Sequence, residues 1–232
     1  MKPIALFYHC LTHLNNADNL LENAVNIIVS QMWQLRASGL LDAAREFHVG
    51  LNGGEETLQM ARLLLPPESK ITLHGLQCHT ELRTLLLLEQ WLPTHRDWYV
   101  LYFHSKGASH PVGHDLSTRW RGCMTRHCIL NWRQCAADLD AGFEAVGCHW
   151  VVPPATPLGQ HIFAGTFFSA RASYLATLPS VMVRDRIKVS GLDALESRYE
   201  AEVWIGNGPR LPKVRDYHGP NWNPSKIATC TS

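Results

Sequence analysis

The chain has 232 residues, of which 46% are hydrophobic and 18% are charged, a composition typical of a globular protein and not of a disordered one. Its net charge of +1 gives no support for bulk electrostatic binding to nucleic acid. The most apolar stretch, residues 82–92, is interrupted by Arg83 and Glu89 and is too short to span a bilayer, so any membrane contact is expected to be peripheral. Seven cysteines and the lack of a leader pattern after Met1 predict reduced thiols in a cytoplasmic protein.

The first half of the chain alternates short β-prone runs with amphipathic segments. The runs predict strands over 3–9, 47–52, 71–74 and 98–103, and helices over 19–39, 55–65 and 80–92. Links this short favour right-handed crossovers between parallel strands. We therefore predict an α/β fold with a mostly parallel central sheet flanked by helices.

The second half is less regular. It predicts a long helix over 117–142 that Ser117 caps, a strand over 146–152, an apolar run over 162–169, and helical segments over 171–178 and 198–205. Because no internal repeat or low-complexity linker is present, one domain over residues 1–232 is the simpler prediction.

The run at 98–103 has no polar interruption, which predicts a strand buried on both faces. It ends on four residues of a different character: His104, Ser105, Lys106 and Gly107. Ligands of open α/β sheets bind at the carboxyl ends of strands, and a cationic, glycine-ended loop there suits an anion such as a phosphate. Arg121, near the start of the next helix, can point back to this loop. The alternative is an ordinary surface turn with a solvated lysine.

Thirteen histidines raise the possibility of a metal. A catalytic metal held by His104, His110 and His114 is one alternative, although Pro111 and Gly113 argue against the helix that would align the last two. Cysteines at three positions of the long predicted helix have no paired ligand spacing and point in different directions, so we expect no structural zinc site at Cys123, Cys128 and Cys135.

Two carboxylates near the glycine-rich segment 206–208 are candidates for a general base. Glu200 and Glu202 can each accept a proton from a sugar hydroxyl. The alternative for Glu202 is a surface ion pair with Arg198, four residues earlier. The chain has no Gly-x-Ser-x-Gly elbow, no Walker loop and no Gly-x-Gly-x-x-Gly fingerprint, which disfavours serine hydrolases, P-loop enzymes and dinucleotide oxidoreductases.

Several of these motifs stand in a recognisable order. They are Tyr-Val-Leu-Tyr-Phe-His-Ser-Lys-Gly at 99–107, Trp-Arg at 120–121, Val-Gly at 146–147, Gly-Thr-Phe-Phe at 165–168 and Arg-Tyr-Glu-Ala-Glu-Val-Trp at 198–204. Together they resemble a family of small bacterial glycosyltransferase-like domains from capsule and lipopolysaccharide loci, distantly similar to the rhamnan-synthesis F proteins. The resemblance covers residues 70–206 by motif and the first 70 residues by pattern.

The resemblance implies a GT-A-like domain with a nucleotide-binding half at 1–107 and an acceptor-binding half at 108–232. It implies donor-diphosphate contacts from the four-residue loop and Arg121, a base at Glu202 or Glu200, and acceptor contacts at Gly165, Thr166, Phe167 and Trp204. Members of the family often carry asparagine where this chain has Thr166. A typical GT-A enzyme also ends the strand at 98–103 on an Asp-x-Asp that holds a divalent metal, and this chain has no carboxylate there.

The resemblance thus predicts a glycosyltransferase that moves a hexosyl or galactofuranosyl group from a nucleotide-diphosphate sugar to a saccharide or lipid-linked acceptor in surface polysaccharide synthesis. We expect no divalent metal cofactor, because fixed cations can supply the charge that a metal otherwise brings. The expected location is the cytoplasm, with peripheral contact at the inner membrane face. The alternatives are a non-catalytic nucleotide-sugar-binding module, alone or within a larger assembly, and a metal-dependent hydrolase.

Overall fold

The computed structural model describes residues 1–11, 18–75, 81–152, 161–182 and 201–218. Within these ranges, no helix combines the length and the apolar character that crossing a bilayer requires. The predicted base Glu200 lies outside the described residues.

The described strands are β1 (Ile4–Leu11), β2 (Ala44–Asn52), β3 (Lys70–Gly75), β4 (Tyr99–His104), β5 (Ala145–Gly147), β6 (Trp150–Val151), β7 (Ile162–Phe163), β8 (Phe168–Arg171) and β9 (Val214–Asp216). Seven of them form one sheet in the order β3-β2-β1-β4-β8-β5-β9, and β6 and β7 form a separate antiparallel pair. In the large sheet β8 is antiparallel to both neighbours and the other pairs are parallel. The predicted α/β fold with a mostly parallel central sheet flanked by helices is confirmed. Strands from 1–107 and from 108–232 share this sheet.

The described helices are α1 (Asp18–Ala37), α2 (Leu40–Ala43), α3 (Glu55–Leu64), α4 (Leu82–Trp91), α5 (Asp115–Thr125), α6 (Trp132–Asp140) and α7 (Ala172–Leu175). They cover both faces of the sheet. Leu6 and Tyr8 of β1 face a core that contains residues of α1, α5 and α6, whereas Phe7 faces a second core that contains residues of α4 and α7. Alternate side chains of a strand point to opposite faces, so β1 and β4 are buried on both sides, as the uninterrupted apolar runs predicted.

Two predictions for the second half need correction, and one run left unassigned is resolved. The long helix over 117–142 is interrupted by a π-helical turn at Arg126–Leu130, and its first part begins at Asp115 with His114 as the N-cap residue in place of Ser117. The strand over 146–152 is split because His149 adopts a left-handed backbone with φ 66°. The apolar run over 162–169 turns at Gly165 and Thr166 and supplies two strands.

The cysteines also differ from the sequence-based expectation. Cys10, Cys128, Cys135 and Cys148 are buried free thiols, as expected. Cys123 is disulfide-bonded, so the expectation of fully reduced thiols is wrong at this position.

Candidate functional site

Several polar side chains meet at the carboxyl edge of the sheet. In the register of the parallel strands, His9 of β1 lies beside Gly50 of β2 and beside His104 of β4. Asn52, which ends β2, is fully buried, and its amide lies 3.5 Å from His9 Nε2. This edge is the one at which the sequence predicted ligand binding.

The His104 ring is held between two acceptors. Its Nε2 lies 2.8 Å from the Gly165 carbonyl oxygen, and its Nδ1 lies 3.1 Å from Glu81 Oε1. Both of these groups accept hydrogen bonds, so an imidazolium at His104, with a hydrogen on each ring nitrogen, would donate to both of them. The Tyr102 hydroxyl donates to the other carboxylate oxygen of Glu81 at 3.1 Å, which fixes the orientation of that carboxylate.

Helix α1 holds the backbone of the loop after β4. Gln31 Nε2 donates to the His104 carbonyl oxygen at 3.0 Å, and Asn23 Nδ2 donates to the Gly107 carbonyl oxygen at 3.0 Å. Ser105 is buried, and its backbone N–H donates to the His9 carbonyl oxygen at 3.0 Å. The loop is thus a fixed part of the fold, in contrast to the solvated surface turn that the sequence left open.

Lys106 of this loop lies next to Arg121 of α5. Lys106 is buried, and its Nζ sits 4.3 Å from the centre of the Trp120 ring, a cation–π distance. Arg121 Nη1 donates to the Lys106 carbonyl oxygen at 2.6 Å. Burial lowers the pKa of the Arg121 guanidinium from its usual value of 12.5, which leaves the group cationic at neutral pH. Gly107 has φ 92°, and a Cβ there would meet Arg121 Nη1 at 3.0 Å.

Two of the predicted acceptor residues, Gly165 and Phe167, contact His104, and the Phe167 ring lies edge-on to the imidazole with the ring centres 5.3 Å apart. The Gly165 carbonyl oxygen binds His104, and a Cβ on Gly165 would meet the Trp120 ring at 3.1 Å. Thr166 and Phe167 are buried. Among the described residues, no hydrogen-bond partner is found for the Thr166 hydroxyl.

The other predicted residues lie in the segment 201–206. Trp204 is a core residue, and its Nε1 donates to the Pro179 carbonyl oxygen at 2.9 Å, so it is not an open acceptor platform. Glu202 is half-buried, and its neighbour Val203 belongs to a small core against which Trp120 packs.

The structure does not group the three histidines of the metal hypothesis. The rings of His110 and His114 stack with their centres 4.2 Å apart, and His114 Nδ1 accepts from the backbone N–H of Ser117. Both nitrogens of His104 face Glu81 and Gly165. In the described part of the chain, a different set of potential metal ligands lies close together: Cys123, Cys148 and His149.

A second pair of imidazoles lies on the α4 side of the same edge. His9 Nδ1 and His74 Nε2 lie 2.8 Å and 3.0 Å from the hydroxyl oxygen of Thr84. Burial, reinforced by His74, lowers the pKa of His9 from 6.5 to about 3, and burial with Arg83 lowers that of His74 to about 4. Both rings are therefore neutral at pH 7. A Cβ on Gly50 would come within 2.0 Å of the Thr84 hydroxyl, so this position requires glycine.

Sequence reasoning missed Glu81, His9 and His74. Glu81 immediately precedes α4 and has no local motif that marks it as the partner of His104. His9 lies near the end of β1, and His74 lies near the end of β3. The prediction of a parallel sheet could therefore have placed both side chains at its carboxyl edge.

The sequence matches one family model over residues 7–213, most of its length, and this family is described as Domain of unknown function (DUF8361). The chain belongs to this family. No curated protein matches the sequence significantly.

Solved structures show partial likeness to this DUF8361 member. A protein from Desulfovibrio desulfuricans G20, described as a nucleotide-diphospho-sugar transferase, is 11% identical with a TM-score of 0.44, over 87% of this chain and 74% of its own. Rv0371c from Mycobacterium tuberculosis H37Rv is 11% identical with a TM-score of 0.40, over 95% and 90%. A 4-diphosphocytidyl-2C-methyl-D-erythritol synthase is 16% identical with a TM-score of 0.35, over 75% and 77%. At these scores the likenesses say nothing about the chemistry of this chain.

Proposed function

We propose that this protein is a glycosyltransferase that moves a sugar from a nucleotide-diphosphate sugar to a saccharide or lipid-linked acceptor in surface polysaccharide synthesis, at the inner membrane face. The observation that carries the proposal is the group of three basic side chains at the end of β4. The His104 ring lies against Glu81, Lys106 lies over the Trp120 ring, and Arg121 donates to the Lys106 carbonyl oxygen.

Cations in this position suit the chemistry of the leaving group. When the bond between the sugar and the diphosphate breaks, the diphosphate gains negative charge, and fixed positive groups in a partly buried site stabilise that change without reorganising. Lys106 and Arg121 are the donors for the phosphate oxygens in this mechanism. His104 supports them through its charge, because its ring nitrogens are held by Glu81 and Gly165.

The residues at the end of β4 do not fit the divalent metal that a typical GT-A enzyme holds there. Hard cations take oxygen ligands, mostly carboxylates and carbonyls. Here the corresponding positions carry an imidazole with both nitrogens engaged, a buried serine and a lysine. We therefore propose a transfer in which the protein's own cations neutralise the diphosphate.

The proposed base is Glu202, with Glu200 as the alternative. A carboxylate can take the proton of the acceptor hydroxyl as that oxygen attacks the anomeric carbon. Val203, the neighbour of Glu202 in the chain, belongs to the small core against which Trp120 packs. The acceptor would approach along Gly165, which contacts both His104 and Trp120.

The test is release of nucleoside diphosphate from a panel of nucleotide sugars, with saccharide and lipid-linked acceptors, in EDTA and in Mn²⁺. We expect release from one donor in EDTA. Glu202→Gln should reduce turnover by about 10²- to 10⁴-fold with donor affinity unchanged. Glu68→Gln, at an exposed acid, is the matched control and should retain full turnover. Activity that disappears in EDTA and returns with Mn²⁺ would contradict the metal-free mechanism.

The second candidate is a non-catalytic nucleotide-sugar-binding module. It is favoured by the fact that two acids at this edge use both carboxylate oxygens within the protein, Glu81 on His104 and Tyr102, and Asp216 on backbone N–H groups. This candidate predicts donor binding without turnover in the assay above.

A further inference from the structure

Two sulfur atoms and an imidazole converge close to Trp120, whose ring lies under Lys106 of the loop after β4, called here the anion loop (residues 104–107). The ligand atoms of Cys123, Cys148 and His149 all lie within 4.8 Å of one another, and all three residues are buried. Cys123 belongs to α5, whereas Cys148 and His149 directly follow β5. The group therefore joins a helix to the carboxyl edge of the sheet.

The backbone at His149 makes this convergence possible. Neighbouring side chains of an extended strand point to opposite faces. His149 has φ 66°, a left-handed conformation that is sparsely populated by residues other than glycine, and it brings its ring to the side of the Cys148 sulfur. The Asp216 carboxylate stabilises the turn by accepting from the backbone N–H groups of His149 at 3.0 Å and Trp150 at 3.1 Å. Uncommon backbone conformations persist where the surroundings hold them, and they concentrate at functional sites.

Thiolates and imidazole form the donor set that zinc prefers. With Zn–S bonds of about 2.3 Å, two sulfurs of a tetrahedral site lie about 3.8 Å apart, so the group needs to contract by about 1 Å at most. Two thiolates and a neutral imidazole around Zn²⁺ carry no net charge, which suits a site made of fully buried residues.

In the structure Cys123 is disulfide-bonded, and a disulfide sulfur is not a thiolate ligand. We propose that reduction of the Cys123 disulfide creates a Zn²⁺ site from Cys123, Cys148 and His149, so that the redox state of Cys123 switches metal binding on and off. The site is separate from the donor diphosphate and does not depend on the function proposed above.

The chemistry balances with a dithiol as reductant. One thiolate of the dithiol attacks the disulfide, and its second thiol resolves the mixed disulfide. Two electrons and two protons pass to the protein, both protein sulfurs become thiols, and the dithiol becomes a disulfide. Zn²⁺ then displaces one proton each from Cys123 and Cys148 to solvent, and His149 binds as the neutral imidazole.

Metal binding at this site would affect the position of Lys106 in the anion loop, because both are connected to Trp120 of α5. Cys123 lies one helical turn after Trp120, whose ring lies edge-on to His149 at 6.3 Å and supports Lys106. The reduced, zinc-bound form would thus hold α5 at a residue one turn after Trp120.

Co²⁺ titration of the reduced and the oxidised protein tests the proposal, because thiolate–Co²⁺ charge transfer absorbs in the near ultraviolet independently of any enzyme activity. We expect this absorption band to saturate in the reduced protein at one equivalent of Co²⁺ and to disappear when Zn²⁺ is added. The oxidised protein should show no band. Cys148→Ala should abolish the band. Cys135→Ala, at another buried free thiol, should retain it.

A second variant keeps the test valid if Cys148→Ala does not fold. His149→Asn removes the imidazole, and asparagine tolerates the left-handed backbone. It should weaken Co²⁺ binding by more than the roughly 10- to 100-fold that loss of an outer-shell partner costs. Equal binding by oxidised and reduced protein, no band in the reduced protein, or full binding by folded His149→Asn would overturn the proposal.

Discussion

The Nδ1 atom of His104 and the Oε1 atom of Glu81 lie 3.1 Å apart, and we propose that this pair holds His104 in its charged form at the end of β4. The Gly165 carbonyl oxygen faces the other ring nitrogen, so an imidazolium would donate on both sides. A charge-assisted pair of this kind, with both members mostly buried, is stronger than a neutral hydrogen bond. The donor site therefore depends on a carboxylate that does not itself contact the donor.

Glu81→Gln should remove the second proton from the His104 ring. We expect nitrogen NMR to show both ring nitrogens of His104 protonated at pH 7 in the wild type and a neutral tautomer in the variant. Donor affinity should fall by roughly 10-fold, since a hydrogen bond to a charged group contributes about 1.5–3 kcal/mol. Glu56→Gln, at an exposed acid of α3, should change neither readout. A ring that is neutral in the wild type would contradict the assignment.

Gly165→Ala should destabilise the fold and displace the carbonyl that holds His104. Gly165 has φ 90°, and a Cβ there would lie 2.7 Å from Met124 Sδ. We expect a loss of about 1–3 kcal/mol in the free energy of unfolding, measured by urea denaturation. Gly122→Ala is the control, because within the described chain its Cβ would meet no heavy atom within 4 Å. It should stabilise α5 by up to about 1 kcal/mol. Equal effects of the two substitutions on the free energy of unfolding would show that the positive φ and the close contacts of Gly165 do not require glycine.

Stability should fall as the pH drops below 6.5, in part because of His9. Burial holds the pKa of His9 at about 3 in the folded state, against 6.5 in the unfolded chain. Between these values the unfolded state binds more protons, so the contribution of His9 is complete above pH 6.5 and is lost as the pH falls towards 3. The slope from this group is at most about 1.4 kcal/mol per pH unit.

His9→Asn should remove this slope. We expect urea denaturation between pH 4 and pH 7.5 to show about one proton less of linked uptake in the variant. Thr84→Val separates packing from titration, because it removes the hydroxyl that both imidazoles contact but leaves both rings titratable. It should lower stability at every pH with a nearly unchanged slope. An identical slope in His9→Asn and the wild type would rule out a neutral buried His9.

The sequence predicted most of the first half of the fold because its signals are local. The apolar run at 98–103 and the polar residues after it are contiguous, so both β4 and the loop at His104 could be predicted. The pairing of His104 with Glu81 could not be, because it joins side chains that the crossover helix brings together and no local pattern marks it. The left-handed backbone of His149 likewise escaped prediction, since it is held from a distance by Asp216 and involves no glycine. The contact roles of Lys106, Arg121 and Glu202 stay predictions.

The most direct test of the central claim is calorimetric titration of the protein with a panel of nucleoside diphosphates in EDTA, beside the Lys106→Met variant. Methionine keeps an apolar stem over Trp120 and removes the charge. The proposed site predicts that one nucleoside diphosphate binds in EDTA and that Lys106→Met weakens it by about 10- to 100-fold. Binding that requires Mn²⁺, or equal affinity in the variant, would contradict a diphosphate site built from the cations at the end of β4.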